Sequence, residues 1–148
     1  MSFRYCFAFD FYFRKKFSTS YNNIIEAYKK DFIHRCNNVQ NLIPNLIETE
    51  EDISQIIKLI MACTLTTYIT YPIHTARGSQ LKKSYLSGYY LGLAYLIGDK
   101  YLDNLKISQE EKFLLNNDIL NFLSDPKNHQ PQHTLISTFA REVIQHFD

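Results

Sequence analysis

The spacing of hydrophobic residues changes near residue 18. Before it, large aromatic residues occupy every second position, and after it hydrophobic residues recur every three or four positions to the C-terminus. A period of two is typical of a β-strand, and a period of three to four is typical of an amphipathic helix. The pattern therefore predicts an all-α fold, in which an N-terminal arm (residues 1–17) precedes a helical domain (residues 18–148) built as a single bundle of about five helices.

The predicted arm carries aromatic side chains on one face if it is extended. These residues are Phe3, Tyr5, Phe7, Phe9, Phe11 and Phe13. A lone β-strand has unpaired backbone groups that usually find a partner, so we expect this face to bind another protein or a second copy of the chain. Two alternatives stay open, because the segment could instead form the first turns of a helix or a flexible leader.

The five helices are predicted from hydrophobic spacing and from residues that start or stop helices. They cover about residues 20–42, 50–70, 80–105, 108–125 and 134–147. The hydrophobic stripe of the first helix consists of Tyr21, Ile25, Tyr28, Phe32, Cys36, Val39 and Ile43. The second helix has hydrophobic residues on several faces, which predicts a central helix that is buried nearly all round.

Capping residues mark three of these helices. Thr49 and Asp52 resemble a capping box, with Asp in place of the usual Glu, and Ser108 and Glu111 form a second one. Ser79 is the expected N-cap of the third helix. The spacing of hydrophobic residues also predicts which side of the fourth helix is hydrophobic. That side consists of Phe113, Leu114, Ile119, Leu120, Phe122 and Leu123.

The third helix has small residues on one face. Ser84, Gly88 and Gly92 recur every fourth position within a run that has no charge. Small residues at this spacing let two helices approach closely. We therefore expect these three residues to pack against a neighbouring helix, with the helix over residues 50–70 as the best candidate.

Composition narrows the class of protein. The 148 residues are 45% hydrophobic and 21% charged, which are values of an ordinary globular chain with one core. A net charge of +1 gives no strong signal for nucleic acid. The longest uncharged runs are too short to cross a bilayer, so no membrane insertion is expected. Richness in Ile, Asn, Lys, Tyr and Phe hints at an AT-rich bacterial or viral genome.

The cysteines bear on the cellular compartment. Cys6, Cys36 and Cys63 lie far apart and form no CxxC pair. Neither a disulfide framework nor a zinc site is therefore expected. This use of cysteine favours the cytoplasm or another reducing compartment inside the cell.

One motif suggests metal-dependent chemistry. The sequence GLAYLIGDKYLD, residues 92–103, resembles the second aspartate-rich motif of trans-prenyl diphosphate synthases. The resemblance implies that Asp99 and Asp103 bind magnesium ions that hold a diphosphate. Lys100 stands where that family has its second carboxylate. The alternative is a solvated helix end, or a helix break at Gly98 with Asp99 as the cap.

A second motif lies in the last predicted helix. The sequence REVIQH, residues 141–146, resembles the R-x4-H signature of HEPN-type ribonucleases, which are all-helical and of similar size. The resemblance implies that Arg141 and His146 of two subunits meet at a dimer interface and cleave RNA without metal by general acid–base catalysis. The alternative is an exposed arginine and histidine on the polar side of a surface helix.

The histidines offer no clear metal site. His129 and His133 are separated by a proline, so their spacing does not place them on one helix face, and His74 lies elsewhere. We expect solvated loop histidines, with no metal and no cofactor.

The leading functional hypothesis is a non-catalytic protein–protein interaction module. Small regulators, inhibitors, immunity proteins, adaptors and bacterial effector-type proteins belong to this class. The hypothesis depends on the lack of a convincing catalytic motif and on the content of 11 Phe and 11 Tyr. Aromatic residues are favoured at the centres of protein interfaces.

Overall fold

The computed structural model describes residues 23, 25–70, 77–125, 128, 130, 132, 137 and 139. These residues contain four α-helices, one π-helical turn and no β-strand, which confirms the all-α class for this part of the chain. The predicted arm lies outside the described residues. So does the predicted last helix, apart from Ser137 and Phe139, which are both helical. The chain divides into two compact units, Met1–Leu96 and Ile97–Asp148.

The first helix, α1, extends over Lys29–Leu42. Its end was predicted, because Pro44 disfavours helix in the residue before it. Asn45 then turns the chain with a φ of 69°, a conformation that asparagine tolerates better than most residues. The sequence predicts a start near residue 20, which is wrong for α1, because this helix begins at Lys29. Residues 23, 25 and 26 are helical, but a tight turn in which the Tyr28 amide donates to the Ile25 carbonyl (2.8 Å) separates them from α1.

The second helix, α2, extends over Glu50–Thr70, as the sequence predicts. Its capping box is formed with aspartate. The Asp52 amide donates to the Thr49 hydroxyl (3.2 Å), and the Asp52 carboxylate accepts from the Thr49 and Glu48 amides (2.8 Å each). This arrangement occupies backbone donors that a helix N-terminus otherwise leaves unpaired.

The burial of α2 differs from the prediction. Ile53, Ile56, Ile57 and Ile60 are buried, but beyond Thr64 no side chain described on this helix is buried, and Ile69 is 73% exposed. The helix is therefore not buried all round. In its second half, hydroxyls bond to the backbone of their own helix, as when Thr66 donates to the Ala62 carbonyl (2.8 Å).

The third helix, α3, extends over Arg77–Ile97 and leads into the π-helical turn Gly98–Leu102. Ser79 lies inside the helix, so the prediction that it is the N-cap is wrong. The break expected at Gly98 takes the form of a wider helical turn, and Asp99 lies within that turn instead of capping a new helix.

The core of the first unit is built from all three helices, the α1–α2 connection and Ile25, which precedes α1. It consists of Ile25, Phe32, Cys36, Val39, Ile43, Leu46, Ile47, Ile53, Ile56, Ile57, Ile60, Leu81, Tyr85, Leu86, Tyr89, Tyr90, Leu93 and Leu96. The stripe predicted for the first helix is buried at every described position except Tyr28, which is half-buried. Large aliphatic and aromatic side chains therefore supply most of the stabilisation of this unit.

In the second unit, α4 extends over Gln109–Ser124. The Ser108 hydroxyl accepts a hydrogen bond from the Glu111 amide (3.1 Å), which is the cap that the sequence predicts. Leu115, Asp118 and Phe122 are buried. No helix among the described residues combines the length and the hydrophobicity needed to cross a membrane.

Candidate interaction surface and polar cluster

Several predicted site residues lie outside the described part of the chain. They are the aromatic residues of the arm (Phe3, Tyr5, Phe7, Phe9, Phe11 and Phe13), the Arg141 and His146 pair, and His74, His129 and His133. The aromatic binding face and the ribonuclease pair therefore stay predictions.

The two aspartates of the diphosphate motif are both exposed. Asp99 lies in the π-helical turn, and Asp103 directly follows it. Among the described residues, no group of three or more His, Cys, Asp and Glu side chains could hold a metal ion. The diphosphate interpretation therefore gains no support from this part of the chain.

The small residues of α3 lie against α2. A Cβ atom built on Gly88 would lie 2.5 Å from the Ile60 Cα, and one built on Gly92 would lie 2.7 Å from the Ile56 Cα. One turn earlier, the Ser84 hydroxyl is 2.5 Å from the Thr67 hydroxyl. The backbones of the two helices are in contact along this face, so it is occupied by the fold itself and is not available to a ligand.

A polar cluster that the sequence did not predict lies between α1 and α3. The Arg35 Nε donates to the Asp31 carboxylate (2.6 Å), and its Nη1 donates to the Tyr90 hydroxyl (3.1 Å). The guanidinium also lies 5.9 Å from the centre of the Tyr89 ring, within cation–π range. Burial acts to lower the pKa of Arg35, whereas its hydrogen bond with Asp31 and the charge of that carboxylate act to raise it. The raising effects are larger in sum, so the pKa of Arg35 lies above its ordinary value.

Aromatic rings surround this cluster. Tyr28 stacks on Tyr85 with ring centres 4.7 Å apart, and Phe32 meets Tyr89 edge to face at 6.4 Å. The hydroxyls of Tyr85 and Tyr89 are buried and have no hydrogen-bond partner among the described residues. Burial, and then the charge of Asp31, raises the pKa of Tyr85, although the geometry completes no hydrogen bond to that carboxylate. Burial also raises the pKa of Tyr89.

The two cysteines that the structure describes, Cys36 and Cys63, are poorly placed for chemistry. The thiolate is the reactive form of cysteine. Burial raises the pKa of the Cys36 thiol and of the half-buried Cys63 thiol. Both side chains therefore stay protonated thiols at neutral pH, and neither is an activated nucleophile.

Among the described residues of the second unit, α4 carries three exposed large hydrophobic side chains, Phe113, Leu114 and Leu120. We call the exposed side of this helix between Phe113 and Asn121 the outer face. It consists of Phe113, Leu114, Asn116, Asn117, Leu120 and Asn121. Phe113 is 67% exposed and Leu120 is 62% exposed. Between Phe113 and Ser124 the one charged residue is Asp118, and it is buried, so the outer face carries hydrophobic side chains and amides without a charge.

The outer face is uneven along its length. A shallow open hollow of about 690 Å³ adjoins its N-terminal end and is lined by Gln109, Glu110, Lys112, Phe113, Leu114 and Asn116, so two charged side chains border the face there. Leu120 is exposed toward its C-terminal end. The hollow beside Phe113 and the exposed Leu120 are therefore about two helical turns apart.

Comparison of the chain with protein-family models, curated proteins and solved structures found no match. The functional argument therefore depends on the chemistry of the surfaces described above.

The sequence-based prediction missed the outer face because it assigned Phe113, Leu114 and Leu120 to the buried side of α4. All three are exposed. On a helix with 3.6 residues per turn, Phe113 and Leu120 lie nearly opposite Leu115. The hydrophobic residues of α4 therefore lie on two sides of the helix, one exposed and one buried, whereas the prediction placed them all on one side.

Proposed function

We propose that this protein is a non-catalytic interaction module that binds a polypeptide through the outer face of α4. The observation that carries the proposal is the exposure of Phe113 and Leu120 on a face without a charge. Interface centres are depleted of charged residues and enriched in aromatic ones. In known interfaces a few well-packed side chains near the centre supply most of the binding energy.

The proposal explains why α4 has two hydrophobic sides. Leu115 and Phe122 are buried within the fold, so the helix does not need Phe113 and Leu120 for its own folding. Large exposed hydrophobic side chains grouped on one face are a feature of interaction sites, whereas isolated ones are common on any surface. A second exposed pair, Leu91 and Tyr95 on α3, is more covered than Phe113 and Leu120, with each side chain 53% exposed.

The test is affinity capture with matched surface variants. The tagged full-length chain would be incubated with a lysate of the source cells, beside the variants Leu120→Asn and Leu105→Asn. Leu105 is 97% exposed and lies off α4, so its substitution removes equal hydrophobicity from a different place. We expect Leu120→Asn to lose the captured protein and Leu105→Asn to keep it.

Both variants should fold as the wild type does, because exposed side chains contribute little to stability, within about 0.5 kcal/mol. Circular dichroism and a urea denaturation curve would verify this. Capture that is the same for the wild type and both variants would overturn the proposal.

A further inference from the structure

We draw no further inference here: the strongest candidate, the exposed side of α4 around Phe113 and Leu120, is the surface of the proposed function, and nothing in the structure shows which partner covers it.

Discussion

Among single residues, Tyr85 and Tyr89 are the least expected. Both rings contribute to the core, yet their hydroxyls are buried without a partner among the described residues. A buried hydroxyl without a hydrogen bond costs about 1 to 3 kcal/mol. The stacking of Tyr85 on Tyr28 and the edge contact of Tyr89 with Phe32 depend on the rings and not on the hydroxyls.

Removal of these hydroxyls should therefore not weaken the fold. We expect Tyr85→Phe and Tyr89→Phe to leave the free energy of unfolding unchanged or to raise it by up to about 1 kcal/mol. Tyr90→Phe should lower it by about 1 to 2 kcal/mol, because it removes the acceptor of an Arg35 hydrogen bond. Urea denaturation at neutral pH measures all three.

Tyr90→Phe is the matched control, since it makes the same chemical change one position from Tyr89. An equal loss of stability in all three variants would show that the two buried hydroxyls are hydrogen-bonded, for example to buried water.

At the scale of helices, the contact between α2 and α3 leaves no room for a side chain. A Cβ at Gly88 or Gly92 would meet the α2 backbone, which cannot move aside as a flexible side chain can. By contrast, a Cβ at Gly98 has open space around it. Packing against α2 therefore requires glycine at positions 88 and 92, whereas packing places no such requirement on position 98.

We expect Gly88→Ala to lower the free energy of unfolding by about 1 to 3 kcal/mol, because the two helices must separate to admit the methyl group. Gly98→Ala should leave it unchanged or raise it by up to about 1 kcal/mol, since alanine favours helix more than glycine does. Thermal or urea denaturation compares the two variants directly. A Gly88→Ala variant as stable as Gly98→Ala would contradict the close approach of α2 and α3.

Helix ends were predictable from sequence where one local interaction fixes them. Thr49 with Asp52, and Ser108 with the Glu111 amide, are contacts within one turn, so the residues that make them are visible in the sequence. The start of α1 was not predictable in this way, because the tight turn at Tyr28 interrupts a hydrophobic stripe that continues on both sides of it. The two hydrophobic sides of α4 have the same spacing, and which of them is buried depends on the rest of the fold.

At the scale of the whole molecule, composition and periodicity predicted the all-α class but not the polar cluster. Arg35 and Tyr90 are 55 positions apart, and nothing in either neighbourhood indicates that they meet. Their contact follows from how α1 and α3 pack, which is a property of the folded unit. For the same reason, the outer face of α4 could be recognised as exposed only in the structure.

Cys36, Tyr85 and Tyr89 together make the fold sensitive to alkaline pH. Burial raises the pKa of each above its ordinary value, which is 9.0 for the thiol and 10.0 for the phenols. The folded chain therefore keeps these protons at a pH at which the unfolded chain loses them. The stability that results is fully present below about pH 8 and falls as the pH rises through 9 and 10, by about 1.4 kcal/mol per pH unit for each group.

Urea denaturation between about pH 7 and pH 11 should show this decline in two stages, because the thiol titrates in the unfolded chain before the phenols do. Cys36→Ala should make the decline between pH 9 and 10 shallower than in the wild type. The double variant Tyr85→Phe with Tyr89→Phe should make the slope above pH 10 shallower by about 2 to 3 kcal/mol per pH unit. The comparison uses slopes, so any change in stability at neutral pH does not affect it. Slopes equal to that of the wild type in both variants would show that these groups lose their protons without unfolding, and that the core between α1 and α3 admits water.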